Sequence, residues 1–301
     1  MKILITGAAG ESASVFAPWI ARFHEVRLTD VAEPAAEDLE YTAADISESS
    51  CVPRLVEGVD AVIHCAALMP FDYGTPAFCD TNVKGTTMLL EAAALAGVKR
   101  FVYGSSTWAT GHGEEEGVLP VDEDSPAHPA EVYGLSKLMG EQAAEFYGRT
   151  TPMSTVIARI APYHRHPDLG LHGEIEWRKA DYPALAYEML KGGQSLYNPT
   201  DLCTAMKLSV EAELDGCATY VFANELPYAA EDAAQVAEDP TPVLERAYPG
   251  AAEFFAEMGV HPPPVAGFYS VAKAKRELGW RNEYNLGDLI ARYRRHRKDA
   301  L

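Results

Sequence analysis

A chain of 301 residues, 48% hydrophobic and 23% charged, is long enough for one large domain or a main domain with an appendage, and too apolar for disorder. Its formal net charge of −19 repels phosphate backbones and anionic lipid headgroups, so neither nucleic acid nor a membrane is expected as a partner. Cys51, Cys65, Cys79, Cys203 and Cys217 lack CxxC spacing and read as reduced core thiols; the opening KILITG is too short for a signal peptide, no run could span a membrane, and the expected setting is cytoplasmic.

In chain order, Lys2–Thr6 is an apolar strand entering the turn Gly7-Ala8-Ala9-Gly10. A helix is predicted over Ser14–Phe23, with Pro18 confined to its first turn. Strands follow at His24–Thr29, Tyr41–Ala44 and Ala61–Cys65, with a short helix at Pro53–Val56. Val83, Leu89, Leu90 and Ala93 give Thr81–Ala96 the stripe of a continuous helix. Arg100–Tyr103 is the next strand, ending in Gly104, Ser105 and Ser106. Strands spaced by helices at this interval predict an α/β fold, a Rossmann-type doubly wound parallel sheet. Residues 111–129 are polar, acidic and proline-bearing, hence a loop, after which come a helix at Tyr133–Tyr147 and a strand at Thr155–Ile160. Beyond residue 162 the elements shorten, with helices at Tyr182–Lys191, Leu202–Glu213 and Thr241–Met258 and a strand at Thr219–Ala223. Residues 1–161 are therefore expected to form the main domain. Residues 162–301 are expected to supply a small C-terminal substrate lobe, partly interleaved with the first. The basic run RYRRHRK at 292–298 reads as the end of an amphipathic helix whose dipole favours cations.

The first turn carries chemistry. Gly7 and Gly10 let the backbone turn tightly and approach a pyrophosphate, while the helix that follows offers N–H donors and positive dipole. Asp30 closes the next strand, 20 residues after Gly10, where a carboxylate can accept from adenosine ribose hydroxyls but repels a 2′-phosphate. Arg22 and Arg27 lie nearby without replacing Asp30, so NAD is expected rather than NADP.

These residues resemble the NAD-dependent epimerase/dehydratase family, the extended short-chain dehydrogenases/reductases. The family's TGxxGxxG loop is present with Ala13 at the third glycine, a place where alanine still allows close packing. The resemblance runs through Asp45-Ile46, which it places against the adenine, and His64-Cys65-Ala66-Ala67, whose backbone would line the cofactor. It continues through Asn82 of NVKGT and covers residues 1–160 well, the remainder weakly.

Tyr133-Gly134-Leu135-Ser136-Lys137 resembles the family's YxxxK motif, and its spacing puts both side chains on one helix face. A phenol titrates near ~10 and needs a neighbouring ammonium and the positive nicotinamide to become a base at neutral pH. Tyr133 would then take the proton of a substrate alcohol as nicotinamide C4 takes the hydride, with Lys137 also holding the nicotinamide ribose. The family's hydroxyl residue, five positions before the loop glycine, falls on Ser106, with Ser105 as the fallback. Thr107 and Trp108 stand where dehydratases carry Asp-Glu, which excludes water elimination and leaves both as candidate substrate contacts. A nucleotide-sugar arginine of the RDxxxVxD type is replaced by Gln194 when the stretch is aligned on Asp201. Arg159, His164, Arg165, His166, His172 and Arg178 form the densest cationic stretch before the tail. Arg159 and Arg165 are its candidates for a substrate carboxylate or phosphate. No carboxylate sits at metal-ligand spacing beside them, so no metal is expected. Phe268, Tyr269 and Trp280-Arg281 belong to a segment that resembles the family's structural "K…LGW" ending, here Lys273, Lys275, Leu278, Gly279 and Trp280. The resemblance implies an NAD-dependent dehydrogenase of a small sugar, sugar acid or polyol, or an epimerase using the same residues. It also implies a homodimer through the helices at Thr81–Ala96 and Tyr133–Tyr147. A dinucleotide sensor without activity is the third possibility.

Overall fold

The computed structural model describes residues 1–34, 38–69, 74–111, 119–163, 181–191, 198–283 and 285–299. Strands β1 (Lys2–Thr6), β2 (Glu25–Asp30), β3 (Glu40–Ala43), β4 (Ala61–His64), β5 (Arg100–Ser106), β6 (Ser154–Ile160) and β7 (Cys217–Phe222) form one seven-stranded sheet in the order β3-β2-β1-β4-β5-β6-β7. The pairings from β3 through β6 are all parallel. Ile3, Leu4 and Ile5 are all fully buried, as a continuous apolar run requires when helices cover both faces. The strand order reverses between β1 and β4, where doubly wound sheets open a ligand crevice at the carboxyl ends of their strands.

The chain divides into two compact units. One comprises Met1–Gly111, Pro126–Ile160 and Leu202–Tyr220; the other comprises His112–Ser125, Ala161–Asp201 and Val221–Leu301. In the first unit, Leu4, Val62, Leu89, Leu90, Phe101, Tyr103, Ala144 and Ile157 build a core between sheet and helices. The second has its own core, in which Leu185, Met189 and Leu190 pack with Leu244, Phe254, Phe255, Leu289 and Ile290.

Three elements differ from the sequence reading. Helix α1 spans Glu11–Ile20, and Pro18 lies well inside it rather than in the first turn. The proline costs one backbone bond, about 3 kcal/mol, but burial of Phe16, Ala17, Trp19 and Ile20 at roughly 1.5–3 kcal/mol per large side chain outweighs it. Thr81–Ala96 is not one regular helix: α2 (Val52–Leu55) and α3 (Thr75–Phe78) precede a π-helical stretch at Cys79–Gly85, which runs into α4 (Thr86–Leu95). The wide turn carries Asn82, whose side chain is anchored outside the helix, and it packs Gly85 against Ile46. Farther on come α5 (Val132–Thr150), α6 (Tyr182–Lys191), α7 (Pro199–Glu211) and α8 (Ala233–Glu238). The expected helix at Thr241–Met258 is broken into α9 (Thr241–Ala247) and α10 (Ala251–Met258), because Pro249 and a left-handed Gly250 turn the chain between them. Helix α11 (Ala272–Leu278) precedes α12 (Leu286–Asp299), which contains the basic run.

Candidate active site

The turn after β1 is built on a glycine that cannot be replaced freely. Gly7 has φ +70°, and a Cβ there would lie 2.5 Å from the Ala66 nitrogen and 2.6 Å from the Cys65 carbonyl carbon. The loop after β4 therefore crosses directly over Gly7. It is fixed there by Thr6, whose Oγ1 accepts the Ala66 N–H at 3.2 Å and whose carbonyl accepts the Cys65 N–H at 3.2 Å. Gly10 is the N-cap of α1. The Asp30 carboxylate accepts the Ala9 N–H at 3.0 Å and the Ala32 N–H at 3.1 Å, which locks it at the rim of the turn.

These residues line a cleft of about 410 Å³ that contains Gly7, Gly10, Asp30, Asp45, Ile46, Cys65, Ala66 and Ala67, all expected at a dinucleotide. Ala9, Val31, Ala32, Ala44, Leu68 and Thr81 join them. The sequence reading missed these because they offer backbone or small surfaces without a chemical signature. The cleft fits a dinucleotide: bare backbone at Gly7, helix N–H groups behind Gly10 and a fixed carboxylate at Asp30. Asn82 is not among the lining residues. It is buried and accepts the Leu68 N–H at 2.7 Å, donates to the Leu68 carbonyl at 3.1 Å and donates to Ser136 Oγ at 3.0 Å. It thus shapes the wall of the cleft and ties it to α5. His64 does comparable work below, held between Thr6 Oγ1 at 2.7 Å and Thr86 Oγ1 at 2.9 Å, and burial lowers its pKa to about 3, so it stays neutral.

The carboxylate of Glu131 caps α5, accepting the N–H groups of Tyr133 at 3.0 Å and Gly134 at 2.7 Å. Gly134 lies against the Trp108 carbonyl and Gly140 against the Tyr103 ring, so the helix packs on β5 with no room for a Cβ at either position. This close approach brings the YxxxK face onto the strand end. Tyr133 faces Ser106, whose side chain favours the phenolate and accepts the Trp108 N–H at 3.2 Å. Lys137 Nζ donates to the Gly104 carbonyl at 2.7 Å and stands 5.7 Å from the centre of the Tyr133 ring. Ser105, the fallback, instead donates to Glu141 Oε1 at 2.6 Å, so Ser106 is the serine at the tyrosine. Burial pushes the Tyr133 phenol well above its ordinary value, with Ser106 acting against it. Burial also lowers Lys137 to about 8, so its charge is sensitive to its neighbours near neutral pH. Cys65 lines the cleft and lies close enough to act electrostatically on both groups.

Of the expected substrate contacts, Trp108 stands edge-on to Tyr133 with ring centres 5.9 Å apart. Thr107 is buried, and its hydroxyl has no hydrogen-bond partner among the described residues. Arg159, expected at a substrate anion, is buried and ion-paired with Glu141 at 2.9 Å. Arg165, His164, His166, His172, Arg178 and Gln194 lie outside the described residues. Asp201 is a clamp rather than part of an anion site: it accepts from Asn282 Nδ2 at 2.8 Å and the Glu283 N–H at 2.6 Å, and its carbonyl accepts from Trp280 Nε1 at 3.0 Å. Among the described residues no three His, Cys, Asp or Glu side chains gather as a metal site.

A family model described as "NAD dependent epimerase/dehydratase family" matches residues 3–163. The chain is 35% identical over 173 residues to a uronate dehydrogenase of Pseudomonas syringae pv. tomato, a match covering 55% of this chain and 61% of that protein. It is 28% identical to a UDP-glucose 4-epimerase of Mycolicibacterium smegmatis over 97% of both chains. Among solved structures, a short-chain dehydrogenase/reductase superfamily protein from Agrobacterium tumefaciens with bound NAD superposes with a TM-score of 0.70 at 23% identity, over 100% of this chain and 98% of that one.

Proposed function

Because this chain belongs to the NAD-dependent epimerase/dehydratase family, we propose that it is an NAD-dependent dehydrogenase oxidising a hydroxyl of a small sugar or sugar acid, with a uronate the first candidate. The observation that carries the reading is the Lys137 ammonium 5.7 Å from the centre of the Tyr133 ring, beside Ser106 at the end of β5, in the unit that holds the Asp30 cleft. Bound NAD⁺ would supply the hydride acceptor and a positive ring close to the phenol. Asp30 would accept from the adenosine ribose hydroxyls, and the backbone at Gly7 and Gly10 would approach the pyrophosphate. Ser106 orients the substrate hydroxyl and Tyr133 receives its proton. Burial opposes ionisation of that phenol and Ser106 favours it; the Lys137 ammonium 5.7 Å from the ring centre and the NAD⁺ ring would add the positive charge that proton transfer at neutral pH needs. Trp108, edge-on to Tyr133, would wall the pocket. The Pseudomonas relative supports a uronate.

The epimerase alternative has its own support in the Mycolicibacterium relative, which matches nearly the whole chain. Incubation with NAD⁺ and a panel of uronates, aldoses and nucleotide sugars, followed at 340 nm and by NMR of the products, separates the two. Net NADH that disappears in Tyr133→Phe supports the dehydrogenase. An altered sugar without net NADH supports the epimerase and rejects the first reading.

The same reading includes a homodimer. Val132, Leu135, Met139 and Phe146 are 38–51% exposed, and their spacing lays an apolar stripe along the outer face of α5, with Leu95 exposed at the end of α4. It also includes the cytoplasm as the place of action, which the five free cysteines suit. No helix among the described residues is long and apolar enough to cross a membrane.

A further inference from the structure

Resting on the reading of Tyr133, Ser106 and Lys137 as the reacting groups, the geometry points to Glu141 as a positioning residue for that site. Its carboxylate, tied to Ser105 and Arg159, fixes the end of β5 and holds Lys137 in its charged form.

Tyr133, Lys137 and Glu141 recur every four residues along α5 and stack on one face, all buried. Glu141 Oε1 accepts from Ser105 Oγ at 2.6 Å and Arg159 Nε at 3.1 Å, while Oε2 accepts from Arg159 Nη2 at 2.9 Å. Ser105 and Arg159 are register partners on β5 and β6, so one carboxylate staples two neighbouring strands at their carboxyl ends. On either side of Ser105 lie the two contacts the chemistry needs: the Gly104 carbonyl that receives Lys137, and Ser106 that meets Tyr133. A displacement at Ser105 reaches both.

The charge argument is independent of the staple. A buried ion pair is weak evidence for stability, since desolvation cancels much of its attraction, and its retention asks for another use. The groups facing Lys137 are Tyr133 and Glu141 from α5, His64 and Cys65 from the end of β4, and Tyr103 from β5, with Arg159 on β6 behind Glu141. His64 is neutral, burial pushes the Cys65 thiol up to about 11, and burial raises the Tyr103 phenol well above its ordinary value. Within this set Glu141 is the carboxylate, and after Cys65 it acts against the burial that lowers Lys137 to about 8.

The test is a pH titration of the ligand-free protein labelled with ¹³Cε-lysine, the Lys137 resonance being identified by its loss in Lys137→Met. The wild-type midpoint is expected near 8. Glu141→Gln removes the carboxylate charge one helical turn from Lys137 and should lower the midpoint by about one unit. Arg159→Met leaves the carboxylate uncompensated and should raise it, and the double variant should return toward wild type. Ser105→Ala should keep the midpoint while lowering turnover, because it loosens the strand end without changing charge. In Glu141→Gln the alkaline limb of the turnover profile should move down with the NMR midpoint, which a merely structural residue would not cause. If Glu141→Gln does not fold, Arg159→Met and the double variant still decide. A Lys137 midpoint that stays at the wild-type value in the folded variants overturns the inference. A wild-type protein that binds no NADH and converts no sugar counts against the functional reading instead.

Discussion

Gly7→Ala is the sharpest probe of the nucleotide cleft, because its cost can be worked out from the backbone. At φ +70° an alanine sits in the left-handed region, about 1–2 kcal/mol above the ordinary conformations. Its Cβ would stand 2.5 Å from the Ala66 nitrogen, 2.6 Å from the Cys65 carbonyl carbon and 2.8 Å from Ala66 Cα. These are backbone atoms, so relief requires the loop after β4 to shift. Overpacking of this kind costs roughly 1–3 kcal/mol, for a total near 2–5 kcal/mol. Gly58→Ala is the matched control, since Gly58 has φ +69° and nothing within 4 Å of its added Cβ. It should show only the conformational part. Thermal and urea unfolding read the stabilities, and quenching of tryptophan fluorescence by NADH reads the cleft. NADH affinity is expected to fall more than about ten-fold in Gly7→Ala, equivalent to ~1.4 kcal/mol, and to stay put in Gly58→Ala. If Gly7→Ala binds NADH as wild type does and unfolds like Gly58→Ala, the loop after β4 does not form the floor of the site.

Asp30→Ala should weaken NADH roughly ten-fold or more and narrow the gap to NADPH in parallel titrations, because a charged acceptor for the ribose and a repulsion of the 2′-phosphate vanish together. An unchanged NADH/NADPH ratio would reject the assignment. Burial raises Asp201 to about 7, above its unfolded 3.8, so the folded chain binds the extra proton between those values. The contribution of Asp201 is thus full below about pH 4 and lost as pH rises through 7. Urea midpoints should accordingly show Asp201→Asn gaining on wild type between pH 5 and pH 8, and a constant difference would contradict the sign. Leu135→Glu combined with Met139→Glu on the exposed stripe of α5 should halve the mass seen by light scattering while leaving NADH binding intact. A wild-type protein already monomeric at assay concentrations would remove the dimer from the proposal.

Much of the cleft was legible because a phosphate loop leaves a written signature. Gly7, Gly10 and Asp30 are marked by residue type and spacing, whereas Tyr133 and Lys137 stand out through the resemblance to the family's YxxxK motif. Glu141 escaped, although it continues the same interval, because its value depends on β6 delivering Arg159 opposite Ser105. Asn82 was found as a residue but not as a device: that it grips both polar groups of Leu68 depends on the π-helical turn, which no local pattern announced.

The sequence by itself determined the alternation of strands and helices, the parallel sheet and the glycine turn, because each is a matter of residue type at short range. Tertiary structure decided the rest. Helix α1 runs through Pro18 because burial of its apolar face outweighs one lost backbone bond. Ser106 rather than Ser105 meets Tyr133 because Glu141 and Arg159, brought together by strand register and helix packing, claim the neighbouring hydroxyl. Asp201 is a clamp for Trp280, Asn282 and Glu283 because residues some eighty positions away fold back onto it. A charged side chain can be read from a sequence, but whether it faces a ligand or another buried charge is fixed only when distant segments meet.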